Sequence, residues 1–238
     1  MNYTHPTYEI MTKLLTSEIA VKKKISILDY GCGSGYLLSI LPKVAVKKYC
    51  GYETSKSAID VAKKQFRKQH IASFIYVDTS QKLRLPNRNM DVVIAIGVLQ
   101  YMSKSQILEL ISECSKVLKK GGVVLISCVS DHLLYKMINL YGLVIKNSFV
   151  NRKWLLECLK KYGFKVKYSQ EKGLLFGPLF YHNIVLIFDI LDKLLYRTKG
   201  TLGPFGKSSR KVAAKIASLE NKIPINLGYT LYLKATKS

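Results

Sequence analysis

Residues 27–36 read Ile27-Leu28-Asp29-Tyr30-Gly31-Cys32-Gly33-Ser34-Gly35-Tyr36, and this stretch decides the fold of the chain. It begins in an apolar run, Ile25 to Tyr30, that is typical of a buried strand. It ends where a short helix is predicted, from Tyr36 to about Leu41, before Pro42. The glycines between them let a ligand approach the backbone closely. The pattern indicates a ligand site at the mouth of a doubly wound sheet, although a tight structural turn is the alternative.

Strands and helices alternate along most of the chain beyond this turn. The capping residues of three helices are predicted as Thr54 or Ser55, Ser103 and Asn151. The first of these helices is expected to reach about Gln69. Further strands are predicted at residues 49–52, 71–77, 91–96, 123–128, 164–168 and 229–234. Such alternation favours right-handed crossovers and a mostly parallel α/β sheet covered on both faces.

The chain of 238 residues is predicted to form a single domain with one interruption. Residues 1–24 hold an N-terminal helix, 25–170 the core, 171–222 a helical insertion or cap, and 223–238 the final strand. The insertion starts apolar, from Leu174, and ends basic. A flexible joint inside it is predicted at glycines and a proline: Gly200, Gly203, Pro204 and Gly206.

The composition is globular and strongly basic, with 38 Lys plus Arg against 15 Asp plus Glu and a formal net charge of +23. Because 32 of the basic residues are lysines, a biased genome explains the excess as readily as a polyanionic partner does. The five cysteines are scattered and include no C-x-x-C pair, so neither a disulfide framework nor a metal site is predicted. The sequence contains no secretory signal and no span of membrane length, so a cytoplasmic location is expected, peripheral to a membrane in one alternative.

A second feature narrows the ligand of the glycine-rich turn. The dinucleotide fingerprint G-x-G-x-x-G would place its third glycine at position 36, but that residue is Tyr36 and the glycine is Gly35. Glu53 ends the second predicted strand, where a carboxylate accepts hydrogen bonds from both ribose hydroxyls. The pattern D-x-G-x-G-x-G followed by this acid disfavours NAD or FAD.

With these motifs, residues from about 25 to 170 resemble the class I S-adenosylmethionine-dependent methyltransferases, in the broad small-molecule, type 11-like branch that includes ubiquinone-type enzymes. Leu118 to Ser127 looks like the family's Gly-Gly turn into the fifth strand, and Asn151 to Val166 like its late helix and sixth strand. The resemblance implies a Rossmann-like sheet of seven strands in the order 3-2-1-4-5-7-6, with the last strand antiparallel. It also implies S-adenosylmethionine as the cofactor.

The same resemblance assigns roles to individual positions. The residues that it places around the cofactor are Asp29, Gly31, Gly33, Gly35, Glu53, Thr54, Asp78, Thr79, Ile96 and Gly97. Asp29 and the glycines would shape the methionine and ribose pocket, Glu53 would bind ribose, and Asp78 the adenine amino group. Ile96 and Gly97 would offer backbone carbonyls to the methionine ammonium.

Candidates for a catalytic base are few. Where the family often has a V-L-E-H segment, this chain has Val98-Leu99-Gln100-Tyr101, so Tyr101 replaces the histidine. His132 follows the fifth strand at the edge where sites form, although an ordinary loop histidine is the simpler interpretation. A base is needed only when the acceptor still holds its proton at the moment of reaction.

Three functions remain open from the sequence. The first is methyl transfer to a small-molecule or lipid-linked acceptor, with the insertion 174–222 closing a pocket or docking on an anionic membrane. The second is methylation of tRNA or another RNA; no N-P-P-Y-type segment follows the fourth strand, so nucleic acid is the less favoured partner. The third is a cofactor-binding subunit without catalysis of its own.

Overall fold

The protein is described from a computed structural model. The described residues are 6–22, 24–42, 45–85, 88–131, 148–173, 185–196, 203–220, 222–223 and 228–238. His132, His182 and the apolar run 174–184 lie outside them.

Strands and helices alternate as the sequence predicts. The elements in chain order are α1 (Pro6–Lys22), β1 (Ile25–Tyr30), α2 (Tyr36–Ile40), β2 (Val46–Glu53), α3 (Lys56–Gln65), β3 (Ala72–Tyr76), β4 (Met90–Ile96), a 3₁₀ turn (Leu99–Tyr101), α4 (Lys104–Val117), β5 (Leu118–Val129), α5 (Arg152–Lys161), β6 (Phe164–Lys172), α6 (Val185–Tyr196), α7 (Pro204–Glu220) and β7 (Thr230–Lys237).

The strands form one seven-stranded sheet in the order β3-β2-β1-β4-β5-β7-β6. The pairs among β1 to β5 are parallel, and β7 runs antiparallel to both β5 and β6. This confirms the predicted doubly wound sheet with an antiparallel last strand. The carboxyl ends of β1, β2, β3 and β4 therefore meet at one edge, on either side of the point where the strand order reverses.

Helices bury apolar residues on both faces of the sheet. Met11 and Leu15 of α1 and Ile59 of α3 pack on one face. Ile111 of α4 and Leu155 of α5 pack on the other. The central strands are covered on both sides and are therefore mostly apolar, as in Met90–Ile96, where Asp91 is the one charged residue and only the last residue is partly exposed.

The helix starts follow from capping chemistry. Ser55 accepts a hydrogen bond from the Ala58 amide, Asn151 caps α5, and Ser103 forms a capping box with Gln106. These three caps agree with the sequence prediction.

Several boundaries differ from the prediction: β2 begins at Val46, three residues early, β6 continues to Lys172 and β7 to Lys237. Helix α3 ends at Gln65 instead of near Gln69, because Phe66 leaves the helix and stacks on Phe74 with ring centroids 5.5 Å apart. Strand β5 begins at Leu118, five residues early, and its pairing with β4 shifts register before Val123.

The insertion contains a helix pair, α6 and α7, at the carboxyl edge of the sheet. It leaves the sheet after β6, and the Tyr229 amide that precedes β7 donates to the Gly173 carbonyl at 3.0 Å. Asp192 of α6 caps α7, since its carboxylate accepts the Phe205 and Gly206 amides at 3.2 and 2.6 Å. Gly206 thus lies in the first turn of α7, not in the predicted joint. In the described part of the chain, no helix is both long and apolar enough to cross a membrane.

Candidate functional site

The glycine-rich turn is held against the neighbouring strand by its backbone. The amides of Gly31 and Cys32 both donate to the Tyr52 carbonyl, at 2.7 and 3.1 Å. Gly31 and Gly35 have φ angles of +79° and +85°, which favour glycine. A Cβ at Gly31 would lie 2.2 Å from Val98 Cγ2, so the turn has no room for a side chain there. Strand β2 also packs closely against the turn, and Gly51 has no side chain that would obstruct this contact.

Glu53 joins this turn to the end of β2. Its Oε2 accepts the Gly33 amide at 2.9 Å, and its Oε1 accepts the Thr54 and Ser55 amides at 2.7 and 2.9 Å. One carboxylate therefore fixes the middle of the turn and the start of α3 at once. Gly33 itself faces open space, because an added Cβ would meet no atom within 4 Å. This arrangement leaves the Gly33 backbone accessible to a ligand.

Asp78 lies two residues beyond the end of β3 and is exposed. Its Oδ1 accepts the amide and the hydroxyl of Ser80, at 2.9 and 2.7 Å. These hydrogen bonds hold the pKa of the Asp78 carboxyl below its usual value. Asp78 is therefore a fixed anion at the edge of the site, with Thr79 beside it.

The end of β4 supplies the opposite wall. The Gly97 amide donates to the Ser127 carbonyl at 2.9 Å, and Gly97 has a φ of +65°. The chain then makes the 3₁₀ turn that carries Tyr101, whose side chain is 57% exposed. Tyr101 therefore stands at the rim and not in the depth of the site.

A cavity of about 360 Å³ opens between these strand ends. This volume lies in the range of small-molecule sites. The predicted residues that line it are Gly31, Glu53, Thr54, Asp78, Thr79, Ile96, Gly97 and Tyr101. Asp29, at the end of β1, and Gly33 and Gly35, in the glycine-rich turn, do not line this cavity. Catalytic candidate His132 lies outside the described residues.

Asp29 lies beneath the turn and is buried. Its carboxylate accepts the hydroxyl of Tyr49. Burial raises the pKa of the Asp29 carboxyl to about 7, against the effect of the Tyr49 hydrogen bond and with a smaller contribution from the charge of Glu53. Burial, and next to it the charge of Asp29, raises the pKa of the Tyr8 hydroxyl of α1, and the Tyr8 ring packs edge-on against Tyr36 at 4.8 Å. Asp29 thus supports the turn from below.

Several lining residues were not anticipated from the sequence. Glu109 lines the cavity, and its carboxylate accepts the Leu83 amide at 3.1 Å. Glu113, one helical turn later, accepts the Leu85 amide at 3.0 Å. The two acids on α4 therefore hold the segment after β3 over the cavity. Their i, i+4 spacing in the sequence was the available signal. The other unanticipated lining residues are Tyr30, Tyr52, Val77, Gln81, Leu83, Val98, Met102 and Gln106.

The charge of the cavity contrasts with that of the whole chain. Three of the 15 acidic residues, Glu53, Asp78 and Glu109, stand around it in a chain of net charge +23. Among the described residues, no lysine or arginine lines it. Such a site favours a ligand that offers hydroxyl groups, an amino group or positive charge, and disfavours phosphate.

Comparison with known proteins agrees with this fold. A family model described as a methyltransferase domain matches residues 4–169. A malonyl-[acyl-carrier protein] O-methyltransferase from Halalkalibacterium halodurans is 24% identical over 207 residues, which cover 83% of this chain and 73% of that protein.

Two solved structures share the fold at low identity. Magnesium protoporphyrin IX methyltransferase from Synechocystis PCC 6803, with bound S-adenosylhomocysteine, has a TM-score of 0.61 at 14% identity and covers 98% of this chain and 84% of its own. Geranyl diphosphate C-methyltransferase from Streptomyces coelicolor A3(2), in complex with Mg²⁺, geranyl diphosphate and S-adenosylhomocysteine, has a TM-score of 0.58 at 13% identity, covering 90% and 74%. Together with the matched family model, the sheet order and the glycine-rich turn assign this chain to the class I S-adenosylmethionine-dependent methyltransferases.

Proposed function

We propose that the cavity at the carboxyl ends of β1 to β4 holds S-adenosylmethionine and that the chain methylates a small-molecule or lipid-linked acceptor. The observation that carries the proposal is the ring of three carboxylates around a cavity next to an accessible glycine backbone. S-adenosylmethionine has two ribose hydroxyls, an ammonium and a sulfonium, so it suits such an acidic site. The residues present therefore fit the cofactor of the family.

Each wall has a proposed role. Glu53 accepts ribose hydroxyls while it keeps the turn in place, and Asp78 and Thr79 meet the adenine. The backbone of Ile96 and Gly97 binds the methionine ammonium, and the Gly33 backbone lets the ligand approach. Asp29, Gly31 and Gly35 set the shape of the turn from behind. These assignments are the ones that the family resemblance implies, and the position of Glu53, Asp78, Thr79, Ile96 and Gly97 around the cavity supports them.

The bound cofactor supplies an electrophilic methyl group on its sulfonium. The acceptor nucleophile forms a bond to that carbon as the carbon–sulfur bond breaks, and the sulfur keeps the bonding pair in S-adenosylhomocysteine. The protein contributes position and exclusion of water. The acceptor proton leaves to solvent or to a base. Tyr101 at the rim is placed to orient the acceptor, and His132 stays a candidate from the sequence alone.

The relatives bear on one part of the proposal, which is the class of the acceptor. Those described above act on a malonyl-acyl-carrier protein, on magnesium protoporphyrin IX and on geranyl diphosphate. None of these is a nucleic acid. We therefore favour a small or lipid-linked acceptor over RNA.

The test is a transfer assay with methyl-labelled S-adenosylmethionine and three acceptor pools from the source cells: aqueous metabolites, extracted lipids and total RNA. Label is expected in the first or second pool. It should fall at least tenfold in Asp78→Asn but not in Asp60→Asn, which removes an exposed charge on α3. Label confined to RNA would overturn the acceptor class. Equal activity of the two variants would overturn the place of Asp78.

A further inference from the structure

The α6–α7 pair carries an apolar surface that the sheet does not cover. On α6 this surface consists of five aliphatic side chains that are 37–72% exposed: Ile187, Ile190, Leu191, Leu194 and Leu195. Their spacing of three, four and seven residues puts them on one side of the helix. Single exposed apolar residues are ordinary, but a contiguous helical face of five indicates a binding surface.

Another side of α6 packs against α7. Phe188 stacks on Phe205 of α7 with ring centroids 6.2 Å apart, and the buried Asp192 caps α7. A Cβ at Gly203 would lie 2.3 Å from the Asp192 carboxyl carbon, so the two helices meet closely at this point. These contacts fix the orientation of α6, which carries the exposed face, relative to α7.

Helix α7 adds a second apolar row and a row of cations beside it. Phe205, Val212 and Leu219 are 40–63% exposed and recur every seven residues. Lys207, Lys211 and Lys215 recur every four residues and are exposed. At 100° per residue, the centre of the lysine row lies about 100° around the helix from the centre of the apolar row. Lysines that flank an apolar face are typical of helices that lie in a membrane interface.

The described carboxylates of the pair itself are buried. Among the described side chains of α6 and α7, the two carboxylates, Asp192 and Glu220, are 2% and 6% exposed. Lys193 of α6 and Lys222 just after α7 are also exposed, and the exposed Glu9 of α1 accepts a hydrogen bond from Ser218 of α7. Over the described side chains, the surface of the pair therefore combines exposed aliphatic residues with an excess of positive charge.

We propose that the α6–α7 pair docks on an anionic lipid bilayer, with its aliphatic face in the acyl region and its lysines at the lipid phosphates. Charge complementarity selects this occupant, because a protein interface of equal apolarity needs no lysine border and a nucleic acid needs no aliphatic face. The chain leaves and re-enters the sheet at the carboxyl edge, where Lys172 Nζ binds the Ile223 carbonyl at 2.8 Å. The proposal holds whatever the acceptor is.

Vesicle flotation of the full chain without cofactor or acceptor tests it. Vesicles of phosphatidylcholine and phosphatidylglycerol at about 3:1 should bind the chain at about 0.1 M salt, and phosphatidylcholine alone should bind it at least tenfold more weakly. Leu194→Glu should lower the affinity at least tenfold. Its control, Val61→Glu, changes a side chain 52% exposed on α3 and should bind as wild type.

A charge-matched pair of variants separates docking from general attraction. Replacing the three lysines of the α7 row by glutamine should lower vesicle affinity about a hundredfold. The same change at Lys63, Lys64 and Lys68, exposed on and just after α3, should lower it less than threefold. Equal losses in the two triple variants, or absence of vesicle binding by the wild-type chain, would overturn the proposal.

Two further outcomes would also overturn it. One is a self-association that Leu194→Glu abolishes while vesicle binding stays intact, because a second copy would then cover the face. The other is binding of RNA with higher affinity than vesicles and with no effect of Leu194→Glu. Since the S-adenosylhomocysteine affinity of each variant is measured in parallel, failure of docking and failure of the cofactor site are distinguishable.

Discussion

Replacing Glu53 by glutamine should weaken S-adenosylhomocysteine binding far more than the loss of one surface charge would. The carboxylate of Glu53 accepts three backbone amides, from Gly33, Thr54 and Ser55. Glutamine keeps one oxygen and replaces the other with an NH₂ group. If the remaining oxygen accepts the Thr54 and Ser55 amides, the NH₂ group faces the Gly33 N–H. Two hydrogen-bond donors then face each other, and the Gly33 hydrogen bond is lost.

The size of the effect follows from that one lost contact. A hydrogen bond to a charged group contributes about 1.5–3 kcal/mol, and an unsatisfied amide costs about 1–3 kcal/mol. Because Glu53 is partly exposed, water compensates some of this cost, and about 2 kcal/mol is expected. The same replacement removes one acceptor for the ribose hydroxyls that Glu53 is proposed to bind, and a loss of about 2 kcal/mol in that contact, at about 1.4 kcal/mol per factor of ten, should raise the dissociation constant about 30-fold. A loss of that size should also lower the melting temperature by about 4–8 °C in a domain of this length.

Isothermal titration with S-adenosylhomocysteine and a thermal melt measure both quantities. Glu157→Gln is the matched control, since Glu157 is an exposed acid on α5. It should bind and melt as the wild type does. If Glu53→Gln bound S-adenosylhomocysteine within twofold of the control, the carboxylate would not organise the site, and the reasoning would fail.

Three further predictions concern the turn and the insertion. Gly35→Ala should cost about 2–4 kcal/mol in unfolding free energy by chemical denaturation, because φ is +85° and the new Cβ would lie 2.6 Å from Phe66 Cε2; a loss below about 1 kcal/mol would contradict this. Stability should fall as pH rises from about 4 to about 7, since the folded Asp29 carboxyl, with its pKa raised to about 7, holds a proton that the unfolded one, with an ordinary pKa of about 3.9, has already released. In urea titrations at pH 5 and pH 8, Asp29→Asn should remove that part of the difference, and an unchanged difference would refute the assignment. Asp192→Asn should weaken the α7 cap by about 1–2 kcal/mol and speed amide exchange in the first turn of α7, with no change at α4.

The sequence was a good guide where local chemistry decides the structure. Ser55, Ser103 and Asn151 cap helices because an oxygen side chain before an apolar stripe satisfies the first amides. The strand order follows from the alternation and the family resemblance together. Glu53 was singled out by its position at a strand end, and its carboxylate does contact the glycine-rich turn.

Contacts between distant segments were not accessible in the same way. Glu109 on α4 reaches the amide of Leu83, 26 residues earlier, and local patterns do not specify that distance. Asp192 caps α7 from the neighbouring helix, a role that no local pattern in the insertion specifies. Asp29 was expected to shape the pocket, but burial turns it inward to Tyr49. Each of these positions depends on the packing of two elements that only the tertiary structure brings together.

The measurement that tests the central claim most directly is a crystal structure of the chain grown with S-adenosylhomocysteine. The account predicts the ligand in the cavity of about 360 Å³, with its ribose hydroxyls within hydrogen-bonding distance of the Glu53 carboxylate and its adenine beside Asp78. A ligand bound elsewhere on the chain, or a ribose without contact to Glu53, would contradict it.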